Sequence, residues 1–318
     1  VPSRVFKGKF WALPQSPQLY KQILMVAGFD RYFQLVRCFR DEDLRKDRQY
    51  EFTQIDIEMS FCDEKDIMKI SEGLIAVLYS QLLGIKLKKP FPCISWKEAM
   101  EKYGSDKPDL RFNLELKDVT ELFGNSGFRF FDEIVNRGGI VKALPVPKLL
   151  SRREIEHFEH IAKNHGFPGV AWVKVADGVT GGIASKLSES VRKELKLVDE
   201  GVVFLLAGNW EKVCEALGEM RLHAGDLLEL RKGLNVVWVV DFPLFEWSEE
   251  ERRLKPKHHP FTAPKQGYEE VIFEELTKEE LLSIPSRAYD LVINGVEVGG
   301  GSIRITDQRL QERIFVQY

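Results

Sequence analysis

The dipeptide Asn294-Gly295, set between two apolar runs in AYDLVINGVEVGGGSIRI, constrains this chain's fold more than any other pair of residues. A two-residue hairpin with a type I′ turn needs positive φ at both central positions, which Asn and Gly accept most readily. An antiparallel strand pair is therefore predicted, with Val292 opposite Glu297. Asp290 lies two positions further along the same side, so Asp290 and Glu297 are expected as diagonal neighbours on one face. Two carboxylates that close repel each other unless a proton or cation lies between them. Hard divalent cations, Mg²⁺ among them, favour such oxygens and complete their shell with phosphate oxygens. A slipped register would instead turn one of the two to solvent. Gly299-Gly300-Gly301 follows and would let a ligand approach the backbone, although the run lacks the spacing of a dinucleotide fingerprint or a P-loop. Arg304 then stands between Ile303 and Ile305 as a lone cation in an apolar strand, and a carboxylate from protein or substrate is expected opposite it.

A second strand pair is predicted from RYFQLVRCFR and EFTQIDIEMSF, joined by the charged loop that carries Asp41, Glu42, Arg48 and Gln49. On the second strand Ile55, Ile57, Met59 and Phe61 share a face expected to be core, while Gln54, Asp56, Glu58 and Ser60 share the other. On the first, Gln34, Val36, Cys38, Arg40 and Glu42 fall on one side, which puts Arg40 and Glu42 beside a polar floor. Any one of these charges is explained by a solvated hairpin. The whole array fits a ligand with several charges, because a planar guanidinium matches phosphate or carboxylate. Ahead of these strands, a helix over PQLYKQILMV opens at Pro17 and places Gln18 and Lys21 on one side. After them, DIMKISEGLIAVLYSQLL reads as an amphipathic helix starting at Asp66.

Texture divides the remainder. Residues 113–232 alternate polar-rich helices with short strands, as a smaller α+β module inserted between residues 1–112 and 233–318. Net charge is −3, so no overall basic field marks a polyanion partner, though a local cluster would suffice for phosphate. Cys38, Cys62, Cys93 and Cys214 lack CxxC spacing and read as reduced thiols of an intracellular protein. No apolar run approaches the ~20 residues of a membrane span. In His258-His259-Pro260 neighbouring side chains point opposite ways on an extended chain, so one of them as a hydrogen-bond donor is expected before both as metal ligands. His157, His160 and His165 have no ligand spacing and read as surface residues. The first residue is Val1, and the chain reads as a piece of a longer one.

FRDEDLRKDRQYEFTQIDIEMSF resembles the second signature motif of class II aminoacyl-tRNA synthetases, in the form used by aspartyl-tRNA synthetases. VPSR, ALPQSPQLYKQ, YGSDKPDLRF, WVVDFPLFEW, HHPFTAP and YDLVINGVEVGGGSIRI support it in the expected order, and residues 113–232 resemble the insertion domain of the bacterial type. The resemblance implies an antiparallel sheet flanked by helices, with ATP and Mg²⁺ used to activate L-aspartate before transfer to the acceptor end of tRNA(Asp). A cytoplasmic homodimer is implied too. Arg40 would contact the α-phosphate and the reacting carboxylate, Glu42 the adenine, and Asp41, Arg48 and Gln49 the nucleotide. Asp290 and Glu297 would hold Mg²⁺, and Arg304 with Lys21 would clamp the aspartate side chain, His258 assisting. Ser16, Gln18, Gln54 and Asp56 would orient the substrate's ammonium. The anticodon-reading barrel, the first class II motif and the terminal motif are expected outside these residues, so the fragment alone is expected to be inactive. Thr306 stands where many relatives carry His. Two other readings stay open: a paralogue that activates aspartate or asparagine without charging tRNA, and a non-catalytic module on the same fold.

Overall fold

The computed structural model describes residues 3–10, 12–41 and 48–317, which fall into two compact units, Val1–Pro90 and Phe91–Tyr318. The predicted loop residue Glu42 lies outside the described residues.

In the first unit, α1 (Gln18–Val26) begins directly after Pro17, where the missing N–H of proline has no helical partner to lose. The strands β1 (Arg31–Phe39) and β2 (Glu51–Met59) pair antiparallel, with Gln34 opposite Asp56 and Val36 opposite Gln54. The helix expected from Asp66 begins earlier, as α2 (Glu64–Leu83). Asp63 is its cap and Asp66 the third helical residue: each carboxylate accepts the other's backbone N–H at 3.1 Å.

The expected core face of β2 is only partly covered: Ile57 and Met59 are half-buried, while Ile55 and Phe61 are exposed. Ile55 is 49% exposed, and across the pair Phe33 and Leu35 are more exposed still, while Gln54, Asp56 and Glu58 are partly covered. A hairpin of two strands has one face covered by α1, and the face chosen is the charged one because α1 carries Lys21 into it.

The second unit contains β3 (Cys93–Ser95), α3 (Trp96–Tyr103), β4 (Lys117–Asp118), α4 (Arg129–Val135), β5 (Ile140–Val146), α5 (Arg152–Asn164), β6 (Ala171–Val175), β7 (Val179–Thr180), α6 (Glu189–Glu194), β8 (Gly201–Gly208) and α7 (Trp210–Leu227). These are followed by β9 (Val236–Val240), β10 (Phe245–Ser248), β11 (Arg253–Pro256), α8 (Lys278–Ser283), β12 (Ala288–Ile293), β13 (Val296–Ser302) and α9 (Gln308–Val316).

Five strands form one antiparallel sheet in the order β4-β5-β8-β6-β7. Its central strand, GVVFLLAG, is buried on both faces, and period-two alternation divides its side chains between two cores. Val202, Phe204 and Leu206 pack with Phe158 of α5 and Leu217 and Met220 of α7. Val203, Leu205 and Ala207 pack with Phe131 of α4 and Val191 of α6. Helices therefore cover both sides of a sheet drawn wholly from residues 117–208.

A four-stranded sheet, β13-β12-β9-β3, carries the second hairpin. Its strands are antiparallel except for β3 beside β9, which is parallel. Val237, Val239, Ala288 and Val292 pack against Ile94, Phe242 and Ala99 of α3. Asp290 lies between Ala288 and Val292 on that same face, and so enters the protein interior rather than solvent.

Candidate functional site

In the first unit the charged hairpin face is held together from α1. Lys21 is only 6% exposed, and its ammonium lies 2.9 Å from Asp56 Oδ1 and 3.1 Å from Glu58 Oε2. Burying an ammonium is tolerable only with such partners. The Oδ2 atom of Asp56 is buried and accepts no hydrogen bond. Along the same floor, Cys38 Sγ donates to Gln54 Oε1 at 3.3 Å and the Tyr32 hydroxyl donates to Gln34 Oε1. Burial, with the Asp56 charge adding to it, raises the Tyr32 phenol above its ordinary range.

Arg40 continues this face beyond β1, its backbone N–H donating to the Tyr50 carbonyl and its guanidinium 5.1 Å from the centre of the Phe52 ring. Gln18 and Ser16 are exposed before and at the start of α1, where Ser16 Oγ accepts the Gln18 N–H. Asp41, Arg48 and Gln49 are exposed at the two ends of the charged loop.

In the second unit the Asn-Gly turn forms as the sequence requires, with φ 54° at Asn294 and 82° at Gly295. Val292 is opposite Glu297 as predicted. A bulge between Leu291 and Val292 then places Leu291 opposite Gly299 and Asp290 opposite Gly300. The two carboxylates still converge: a Cβ on Gly300 would collide with Asp290 Oδ1 and lie 3.4 Å from Glu297 Oε1. Gly300 is thus where side-chain bulk is excluded in favour of carboxylate oxygens.

Asp290 is 5% exposed, and burial raises its carboxyl above the usual range. The nearby His258 imidazole opposes that shift, while the charges of Glu297 and Asp106 add to it. The imidazole Nε2 of His258 is 3.8 Å from Asp290 Oδ1, and its ring meets Phe242 edge-on. Glu297 Oε2 is 2.9 Å from Lys107 Nζ. Burial lowers the Lys107 ammonium, but its hydrogen bond and attraction to Glu297 more than offset this, leaving it raised.

Two convergent carboxylates beside an open glycine backbone fit a hard cation that draws its other ligands from phosphate and water. No group of three or more His, Cys, Asp or Glu placed to enclose a metal occurs among the described residues, so the protein share of such a shell is this pair.

Arg304 is not inside a strand. It lies just past β13, bridged to Thr262, because β13 ends at Ser302. Its Nη1 donates to Ser302 Oγ at 2.8 Å and contacts the His259 ring. The adjacent histidines do face different ways, but His258 goes to Asp290 and His259 to Arg304. The contacts of Lys107 with Glu297 and of His259 with Arg304 are not legible in the sequence. Lys107 sits in the quoted YGSDKPDLRF, yet nothing local to that stretch says which carboxylate it meets.

The chain belongs to the class II tRNA synthetases (D, K and N), whose family description matches residues 1–318. Among curated relatives, it is 50% identical to the aspartate–tRNA(Asp/Asn) ligase of Hydrogenobaculum sp. (strain Y04AAS1), over 99% of this chain and 55% of that protein. It is 49% identical to the aspartate–tRNA(Asp/Asn) ligase of Aquifex aeolicus, over 99% of this chain and 55% of that protein, and to the aspartate–tRNA ligase of Fervidobacterium nodosum, over 99% and 54%. The chain spans about half the length of the curated relatives it matches.

Proposed function

We propose that the protein to which this chain belongs activates L-aspartate with ATP and transfers it to the 3′ end of tRNA(Asp). The observation that carries this reading is the convergence of Asp290 and Glu297 over Gly300, in a chain half identical throughout to aspartate–tRNA ligases. The aspartate α-carboxylate attacks the α-phosphorus of ATP, the bond to the bridging oxygen breaks, and pyrophosphate leaves. No protein nucleophile takes part, so the residues act by positioning and by neutralising charge.

Arg40 would neutralise the α-phosphate and orient the attacking carboxylate, Phe52 supporting its guanidinium plane. Asp41, Arg48 and Gln49 would meet the nucleotide, as would Glu42. Lys21 and Arg304 would receive the aspartate side-chain carboxylate. Ser16, Gln18, Gln54 and Asp56 would orient the ammonium. Asp290 and Glu297 would hold Mg²⁺, which when bound screens the phosphates, and His258 would steady Asp290. Residues 113–232 form an inserted domain in this reading, supported by a five-stranded sheet built only from them. The protein acts as a homodimer in the cytoplasm; no helix among the described residues is long and apolar enough to cross a membrane.

Several relatives are named for both tRNA(Asp) and tRNA(Asn), which supports a second acceptor for this protein as well. Amino-acid-dependent exchange of labelled pyrophosphate into ATP by the full-length protein tests the activation step. Exchange with aspartate and not with asparagine is expected; exchange driven equally by asparagine would overturn the assignment to Lys21 and Arg304.

A further inference from the structure

We propose that Lys107 is a resident counter-cation of the Asp290–Glu297 pair, which hands itself over to phosphate and thereby makes the site accept a divalent cation as its polyphosphate complex rather than alone. The inference rests on reading Asp290 and Glu297 as the metal-binding pair, and goes beyond it by naming what occupies Glu297 beforehand. Three observations carry it.

The Lys107 ammonium is in ion-pair contact with Glu297 Oε2 at 2.9 Å, while Oε1 of the same carboxylate is the atom turned toward Gly300 and Asp290. Lysine and metal would therefore share one carboxylate through different oxygens. Next, neither side chain is sealed in: Lys107 is 26% exposed and Glu297 35%, so the contact can exchange without unfolding anything. Finally, Lys107 lies in a loop that is packed closely against its surroundings on both sides. Gly104, three positions earlier, meets Gly218 of α7 so closely that a Cβ on either would collide with the other's backbone. On the other side of Lys107, Asp109 lies under Gly295 of the turn, 3.1 Å from where a Cβ would stand.

The charges give the consequence. A bare divalent cation arriving at two carboxylates and an ammonium meets repulsion from Lys107 and must compete with it for Glu297. A cation that arrives with a polyphosphate brings anionic oxygens, on which the lysine can re-form the contact it loses. Lys107 thus lowers affinity for free metal and raises it for the metal–polyphosphate complex.

The test is binding, not turnover. Mn²⁺ alone, and Mn²⁺ with inorganic tripolyphosphate, are titrated into the full-length protein and followed by the electron paramagnetic resonance of free Mn²⁺. For Lys107→Met the Kd for Mn²⁺ alone is expected to fall about fivefold and that for the tripolyphosphate complex to rise about fivefold, the size of a partly exposed ion pair. Lys107→Arg, which keeps the charge, should stay near wild type in both. Lys107→Gln serves as a second truncation should the Met variant fold poorly. Unchanged Mn²⁺ affinity in the truncations, or a tripolyphosphate complex bound as tightly as by wild type, overturns the hand-over. Glu297→Gln separates the two levels: loss of Mn²⁺ binding there, with no effect at Lys107, removes this inference alone. Mn²⁺ binding that survives Glu297→Gln removes the metal site and the inference together.

Discussion

Alanine at position 300 and alanine at position 299 should behave differently, although both replace a glycine in the same strand. Neither residue has the positive φ that would strain an alanine. Outside such positions, Gly→Ala stabilises by about 0.4–1 kcal/mol by restricting the unfolded chain. At Gly299 nothing lies within 4 Å of the new Cβ, so only that gain operates. At Gly300 the Cβ collides with Asp290 Oδ1 and presses on Glu297 Oε1 at 3.4 Å. The Asp290 carboxylate can swing, but it is 5% exposed and lies among Val239, Val292 and His258, so little room receives it. Crowding of this kind typically costs about 1–3 kcal/mol. Subtracting the chain-entropy gain leaves Gly300→Ala about 0–2.6 kcal/mol less stable than wild type, and about 1–3 kcal/mol less stable than Gly299→Ala. Urea denaturation with a shared slope measures both. Equal stability of the two variants would refute the placement of the Asp290 and Glu297 carboxylates over Gly300, because those two side chains distinguish the sites.

Lys21→Met should destabilise by about 2–3 kcal/mol, below the full penalty for a broken buried pair because Asp56 and Glu58 keep some exposure. Adding Asp56→Asn and Glu58→Gln should recover much of that loss in chemical denaturation, and a single variant as stable as wild type would count against the buried triad. Cys214 is fully buried and its thiol is pushed up to about 12 by burial, so an aromatic disulfide reagent at neutral pH should label exposed Cys93 promptly and Cys214 only on unfolding. Prompt labelling of Cys214 would contradict its place in the α7 core. The capping box of α5 holds Glu154 at about 2, by its hydrogen bonds from the Ser151 backbone and hydroxyl and then from Lys148. A carboxylate depressed on folding stabilises above its unfolded pKa, so the stability gap between wild type and Glu154→Ala should be full above about pH 5 and vanish as pH falls toward 2. A gap that stayed constant over that range would rule out the charge as its source.

What the sequence disclosed, and what it hid, follows from how local each signal is. Asn294-Gly295 carries its own backbone demand, so the turn and the Val292–Glu297 register were readable within six residues. The bulge that moves Asp290 opposite Gly300 was not, because a run of three glycines has no side chains whose alternation would betray a skipped position. The shared face of β1 and β2 is legible, with Gln34 opposite Asp56 and Val36 opposite Gln54, and Arg40 lies past its end beside Phe52. Its partial cover by α1, and the exposure of Ile55 on the expected core face, were not legible, since alternation says which residues share a face and leaves open which face a neighbouring helix covers. Lys107 on Glu297 and His259 on Arg304 are contacts between segments far apart in the chain, and no spacing rule reaches them. The expected start at Asp66 falls two residues inside α2, because Asp63 and Asp66 form a reciprocal pair in which either aspartate fits the pattern of a cap.

Asp290 and Glu297 of the hairpin would be the protein's share of a magnesium shell. Aspartate-dependent pyrophosphate exchange by the full-length protein, titrated with Mg²⁺ in wild type and in Glu297→Gln, addresses it directly. The predicted result is a curve displaced to higher Mg²⁺ when one carboxylate charge is lost. Superimposable curves would contradict it.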